Sequence, residues 1–306
     1  MILALIAALN LSFSASASHL DVVCSDAQRP HPNNPSFSIS NHPVFAGQFV
    51  ARKSTVHDQF VIETLDGVEI FKHPQRITSL VLQGDTLWAL AGFELLELNT
   101  AGALLGRHVL ETQPNPAWRG KTMALADDLL IIARGLAGMM AFNTLTRQIQ
   151  WNTLMSELDD GTPVSAVFDG AHVWAVMATS RQNGFAGFAL LDATNGRVLK
   201  TTPYDQRRAG VIDTDPSARW FNDSLVLNNG GWIHVITRQQ LENAKPIRPR
   251  WVAQQIPQDG EVQPHYMMLA GEFFFEQDNL VGCGVFTAQD QGRFIRKSAT
   301  FTVKMP

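Results

Sequence analysis

The residues that could carry chemistry are few and scattered. Asp213-Thr-Asp215 sets two carboxylates two residues apart, on one side of an extended chain. With Asp159 and Asp160 they would form an oxygen-rich site of the kind Ca²⁺ takes. The same residues, standing before Pro216, also serve as ordinary turn and cap chemistry, which the short pattern fits better. Arg119 and Arg219 are forked donors suited to a carboxylate or another anion. Trp118 stands beside Arg119. His42 and His265 are isolated, and His172 and His234 lie in apolar segments beside Trp174 and Val235, as surface or core histidines do. The sequence holds no His-x-His or His-Glu-x-x-His pattern, no Gly-x-Ser-x-Gly elbow and no phosphate loop. No metal site and no cofactor are expected, and no catalytic residue is assigned.

These residues need a scaffold, and the composition bounds it. The 306 residues carry 24 Lys and Arg against 28 Asp and Glu, a net charge of −4, which argues against nucleic acid as partner. Apolar residues at 45% allow a packed core and exclude global disorder.

Residues 1–17 have no charged side chain. An apolar run from Ile2 to Leu11 leads to Ala15-Ser16-Ala17, the form of a secretory signal peptide, although the positive residues of its first part are missing. A buried N-terminal strand or helix is the other reading. The run is too short to span a membrane, and no other segment reaches that length. Location in the periplasm or outside the cell follows. Cys24 and Cys283 are the two cysteines, and an even pair in an exported chain points to one disulfide. It would close a loop of 259 residues, and so stabilise by about 4–5 kcal/mol through the unfolded chain. A lipid anchor on Cys24 is disfavoured, because Val22 and Val23 precede it where a small residue is wanted. Two thiols alone cannot complete a four-ligand zinc site.

The chain repeats. A short apolar strand, a tight polar turn and a second apolar strand recur around Asp85, Asp128, Gly170, Asp223 and Gly271, at intervals of 43, 42, 53 and 48 residues. Gly, Asp and Asn at the tips suit hairpin turns. Two more strands follow most pairs, and Asn195-Gly196 marks another hairpin. Six four-stranded units at such periods predict an all-β fold, a six-bladed β-propeller of four-stranded blades, with seven blades as the next possibility and a sandwich pair as the competing architecture. A single propeller domain over 37–306, an N-terminal arm over 18–36 and a helical insertion at Gln239–Ala244 complete the expected organisation. Trp88 and Trp174 take equivalent places in second strands and are expected to pack between blades.

At two joints between third and fourth strands the sequence resembles the quinoprotein-type (PQQ-like) propeller repeat. The segments are Ala189-Leu-Leu-Asp-Ala-Thr-Asn-Gly-Arg-Val-Leu199 and Ala141-Phe-Asn-Thr-Leu-Thr-Arg-Gln-Ile-Gln-Trp151, with Trp151 in the position of the repeat's tryptophan. The resemblance spans residues 77 to 255 and implies the fold. It does not imply a bound quinone.

In a propeller the innermost strands line a central channel, and the loops entering them gather on one face. The entries here are His42, Arg76, Arg119 with Lys121, Asp159 with Asp160, Asp213 with Asp215 and Arg219, and His265. Arg119, Asp215, Arg219, His265 and Trp118 are therefore the expected ligand-binding residues. The function expected is a monomeric, exported, non-catalytic propeller that binds a protein, peptide or glycan on its channel face. The alternative is a channel-mouth enzyme of lactonase or quinoprotein type.

Overall fold

The computed structural model describes residues 23–24, 43–54, 58–110, 122–178, 186–204, 217–229, 232–243, 250–251, 266–290 and 293–305. The expected signal segment, 1–17, and all of the arm but Val23 and Cys24 lie outside them.

The chain forms a β-propeller. Blade 1 holds β1 (Val44–Ala46), β2 (Phe49–Lys53), β3 (Phe60–Thr64) and β4 (Glu69–His73). Blade 2 holds β5 (Ile77–Gln83), β6 (Thr86–Ala91), β7 (Glu94–Asn99) and β8 (Leu104–Val109). Blade 3 holds β9 (Thr122–Ala126), β10 (Leu129–Ala133), β11 (Met139–Asn143) and β12 (Gln148–Thr153). Blade 4 holds β13 (Thr162–Phe168), β14 (His172–Ala178), β15 (Gly187–Asp192) and β16 (Val198–Pro203). Blade 5 holds β17 (Ser217–Phe221), β18 (Ser224–Asn229), β19 (Trp232–Thr237) and β20 (Arg250–Trp251), with a short helix α1 (Arg238–Glu242) after β19. Pairing within each blade is antiparallel between consecutive strands.

The expectation of six four-stranded blades needs correction. Five sheets have four strands, and the last has three: β21 (Tyr266–Glu276), β22 (Asn279–Asp290) and β23 (Arg293–Lys304). The sequence around Gly271 reads as a hairpin tip, but β21 runs straight through it. The pairing with β22 shifts register between Ala270 and Phe273, so the glycine marks a bulge, and the turn falls at Gln277 and Asp278. Elsewhere the tips are placed as expected. One central residue of each tight turn takes positive φ: Gly47 (56°), Gly84 (57°), Asp127 (53°) and Asn222 (50°). Asn195-Gly196 is not a two-residue turn. Asp192 accepts the amide of Gly196 at 2.9 Å and donates its own to Arg197 at 3.0 Å, closing a longer loop.

What holds the blades together is apolar burial between sheets, because each sheet has two apolar faces and cannot cover them alone. Phe49, Ile62, Leu87 and Leu96 pack between blades 1 and 2. Trp88, Leu95, Leu130 and Ile132 pack between 2 and 3. Ile131, Ala141, Val173 and Leu191 fill the next interface, and Trp174, Phe188, Leu225 and Ile236 the one after. Val226, Ile233, Phe273 and Leu280 join blade 5 to the three-stranded sheet. Cys24, Phe45, Val50 and Val281 join that sheet to blade 1. The ring is thus closed by apolar contact on every side, and the innermost strands β1, β5, β9, β13, β17 and β21 touch in that order, with β21 meeting β1. Trp88 and Trp174 serve as inter-blade packing, as their equivalent positions predict.

The Cys24–Cys283 disulfide is formed. It links the start of the described chain to the middle strand of the last sheet, and it leaves no thiol on Cys24 for a lipid anchor. Among the described residues no helix is long and apolar enough to cross a membrane.

Candidate channel site

An innermost strand has a neighbour in its own blade on one side only; its other edge faces the channel, with amides and carbonyls needing partners. Side-chain hydroxyls from the preceding blade meet part of that need. Met123 on β9 donates its amide to Ser79 Oγ on β5 at 3.0 Å, and Ala166 on β13 donates its amide to Thr122 Oγ1 on β9 at 3.1 Å. Ser165 and Ser217 occupy the corresponding places on β13 and β17, and Ser79, Ser165 and Ser217 are all buried. These hydroxyls form a layer that ties β5 to β9 and β9 to β13.

From this layer onward the channel holds a cavity of about 640 Å³ lined by all six inner strands. It extends from the hydroxyl layer to the strand ends at the hairpin turns. Its rim there is apolar: Leu82, Leu125, Phe168, Trp220 and Phe275, each partly buried, with Gly47 completing the ring. A Cβ on Gly47 would stand 3.0 Å from Leu82 Cδ2, so the end of that side chain would have to shift slightly to admit one.

Arg219 is the one charged side chain among the described residues lining this cavity. It lies on β17 opposite Val226, and its Nη2 donates to the carbonyl of Phe45 on β1 at 3.0 Å. The guanidinium therefore reaches past β21, the inner strand between the two. Of the five expected ligand-binding residues, Arg219 is placed in the channel; Trp118, Arg119, Asp215 and His265 lie outside the described residues, as do His42, Lys121 and Asp213.

Asp159 and Asp160 are on the turn before β13, and Asp159 Oδ2 accepts a hydrogen bond from Thr201 Oγ1 at 2.7 Å. Neither lines the cavity, and no group of His, Cys, Asp or Glu among the described residues is arranged to hold a metal.

The aromatic part of the rim is held from behind. The Arg238 guanidinium lies over the Trp220 ring, 4.7 Å from its centroid. Arg238 in turn donates to Asp169 at 2.6 Å and to Asp223 at 2.7 Å. These pairs keep the guanidinium protonated above its ordinary range, the Asp223 bond first and the Asp169 bond against the effect of burial. Asp169 is fully covered and also accepts the indole N–H of Trp174 at 2.9 Å and the amides of His172 and Ala171. Burial pushes its carboxyl up, but the bonds from Trp174, His172, Ala171 and Arg238 outweigh it and hold the pKa below the usual range. Phe275 packs against Phe221 with ring centroids 4.5 Å apart.

His234 is a core histidine, as its strand position suggests. It is fully buried between blades 4 and 5, its Nδ1 bonded to the Tyr204 hydroxyl and the two rings stacked at 6.0 Å. His172 is half-buried beside the Asp169 turn.

The rim and the hydroxyl layer were missed from the sequence, yet each left a trace. Ser79, Thr122 and Ser165 recur at 43-residue intervals. A large apolar residue stands at, or one before, the last position of most inner strands, as Leu82, Leu125, Phe168 and Trp220 do.

No family model matches the sequence, and no curated protein is similar to it by sequence. Similar solved structures include BamB from Moraxella catarrhalis, at TM-score 0.48 and 11% identity over 84% of this chain and 71% of that one. The computationally designed Ika8 protein is similar at TM-score 0.49 and 13% identity, over 82% of this chain and 71% of that one. A protein of unknown function from Bacteroides caccae is similar at TM-score 0.48 and 12% identity, over 68% of this chain and 81% of that one. At such identities no residue role is carried from those proteins to this one.

Proposed function

We propose that this chain is an exported, non-catalytic propeller that binds a protein, peptide or glycan partner on its channel face. One observation carries the reading: the ring brings six distant segments around a cavity of about 640 Å³ whose described lining is apolar side chains, hydroxyls and one guanidinium. A concave apolar surface with a few placed polar groups is what recognition needs. Export, to the periplasm or beyond, is supported by the disulfide, which forms and persists in oxidising compartments, and by the signal-like segment at 1–17. On this reading the mature protein is a monomer, a single propeller domain over 37–306 preceded by the 18–36 arm. Arg119, Asp215, His265 and Trp118 join Arg219 at the ligand. The quinoprotein-type character of the repeat is supported by the contact between Trp151 and Gly196, in the places where that repeat has its tryptophan and glycine.

The test is site-directed photo-cross-linking in the producing cell. A photoreactive phenylalanine analogue at Phe168, on the rim, should cross-link to a discrete partner. The same group at Leu105, 58% exposed on the outer edge of blade 2, should not. Equal labelling from both positions would sink the channel-face reading. A redox cofactor or metal retained by the purified chain, with turnover lost in Arg219→Gln, would replace it with the channel-mouth enzyme.

A further inference from the structure

We propose that the hairpin-end half of the channel is a pocket for an uncharged sugar ring, whose hydroxyls meet peptide groups of the inner strands and whose C–H face packs on Phe168, Trp220 and Phe275. The proposal rests on the channel being the binding face and chooses, among the partners of that reading, the glycan.

Each blade's first hairpin closes on a two-residue turn, and the residues flanking such a turn bond to each other. In blade 4 that bond runs from the Asp169 amide to the His172 carbonyl, at 3.1 Å. In an antiparallel pair the residue before the flanking one turns its N–H and C=O away from the partner strand. That residue is Phe168 in blade 4, and Phe45, Leu82, Leu125, Trp220 and Phe275 in the other sheets. On an innermost strand, away from the partner is toward the channel. Two residues further back the pattern repeats, and there Met123 and Ala166 send their amides to hydroxyls of the preceding blade. At the rim level the Phe45 carbonyl receives Arg219. The peptide groups of Leu82, Leu125, Phe168, Trp220 and Phe275 that face the channel have no partner among the described residues.

N–H donors and C=O acceptors thus converge in equal number from several sides of one small space. A hydroxyl both donates and accepts, so a polyol meets both with one kind of group. An anion only accepts and a cation only donates. An apolar body would leave every one of these groups unmet. A peptide strand carries both kinds, but in a row that fits a single strand edge. No charge is needed on the ligand, because Arg219 is engaged within the fold.

The side chains at the same level supply the apolar half of the match. Phe168, Trp220 and Phe275 stand on three consecutive inner strands, β13, β17 and β21, so one side of the mouth is aromatic, and the side with Leu82 and Leu125 is aliphatic. Trp220 is clamped by Arg238, and Phe275 is backed by Phe221. Rings immobilised before binding lose little entropy when a ligand packs on them. A sugar ring joins an apolar C–H face to a hydroxyl edge in one small body, which is the combination this lining accepts. The cavity of about 640 Å³ lies within the range of small-ligand pockets, roughly 300–1,000 Å³.

The test applies the purified full chain to an array of neutral and acidic oligosaccharides. Calorimetry follows with each disaccharide that scores and with the peptide acetyl-Ala-Ala-Phe-amide. At least one neutral disaccharide should bind saturably at millimolar concentration or below. Trp220→Ala should weaken it roughly tenfold, Trp220→Phe much less, and Leu105→Ala on the outer edge not at all. Phe168→Leu, which keeps the strand apolar, should weaken it severalfold and keeps the test valid should Trp220→Ala misfold. A free disaccharide that binds as tightly as the longer glycan containing it identifies a free sugar as the source; tighter binding of the longer glycan identifies a polysaccharide.

No neutral sugar bound, binding confined to acidic sugars, or binding untouched by both Trp220→Ala and Phe168→Leu would overturn the proposal. If the peptide amide binds and the sugars do not, or the sugars fail while Phe168 still cross-links to a protein, the sugar assignment falls and the channel-face reading stands. Sugars that bind without any cross-linked protein would support the pocket and remove the protein partner.

Discussion

The indole of Trp151, on the outermost strand of blade 3, lies against Gly196 in the loop of blade 4. A Cβ on Gly196 would stand 2.4 Å from the indole Cε3. The indole N–H donates to the Ala193 carbonyl at 2.9 Å, and Thr153 Oγ1 donates to the Gly196 carbonyl at 2.6 Å. Gly196 also has φ of 73°, in the left-handed region. Gly196→Ala meets two penalties together, backbone strain of about 1 kcal/mol and a clash with a ring that cannot move, about 1–3 kcal/mol. A loss of about 2–4 kcal/mol in urea unfolding is expected, and a loss under about 0.5 kcal/mol would show that the loop yields freely.

Asp169 and Asp223 share one arginine but not one environment. Asp169 is fully covered, whereas the Asp223 side chain is 78% exposed. Asp169→Ala leaves the Trp174 indole and two amides without their acceptor, and a loss of about 3–5 kcal/mol is expected. Asp223→Ala should change stability by about 0.5 kcal/mol or less. Chemical denaturation of the two variants side by side checks the ranking, and equal effects would refute it.

Acid should weaken the interface between blades 4 and 5 through His234. Burial lowers its pKa from the ordinary 6.5 to about 4. The unfolded chain therefore takes up this proton first, so the stability present above pH 6.5 is lost as the pH falls toward 4. The whole loss is about 3 kcal/mol, and about 2 kcal/mol of it falls between pH 7 and pH 5. His234→Gln should flatten that part of the profile, read as the difference between variant and wild type. Parallel profiles would remove His234 as the cause.

The Cys24–Cys283 bond closes a loop across 259 residues of sequence. Denatured, unreduced protein should show no free thiol. Cys283→Ser should unfold more easily by about 5 kcal/mol if the chain-entropy account holds, with its circular dichroism spectrum unchanged. Two titratable thiols in the wild type would contradict the bond.

Deleting residues 258–306 removes β21, β22 and β23 and with them two of the six apolar interfaces. The faces of blades 1 and 5 that they cover would be exposed, with Phe45, Val50, Val226 and Ile233 among the residues uncovered. No soluble folded monomer is expected. A truncated chain with a cooperative melt and native elution volume would show that the ring does not depend on closure.

Much of the architecture is local and therefore legible. Period-two apolar strands, Gly, Asp and Asn at the tips, and equivalent tryptophans are written in short segments, and five blades follow them closely. The disulfide was legible because two cysteines allow only one pairing within the chain. The sixth sheet was not. Ala270-Gly271 is chemically as good a turn as Asp223 or Gly170, and only the pairing of β21 with β22 decides that the chain bulges there and runs on. The channel site belongs wholly to the tertiary level. Arg219 and Phe45 are 174 residues apart, and no sequence window holds both. Their contact, the hydroxyl layer and the aromatic rim exist because closing a ring to bury six pairs of apolar faces forces the ends of six inner strands onto one axis. The strands are dictated by their own residues; what meets in the channel is dictated by the closure of the ring.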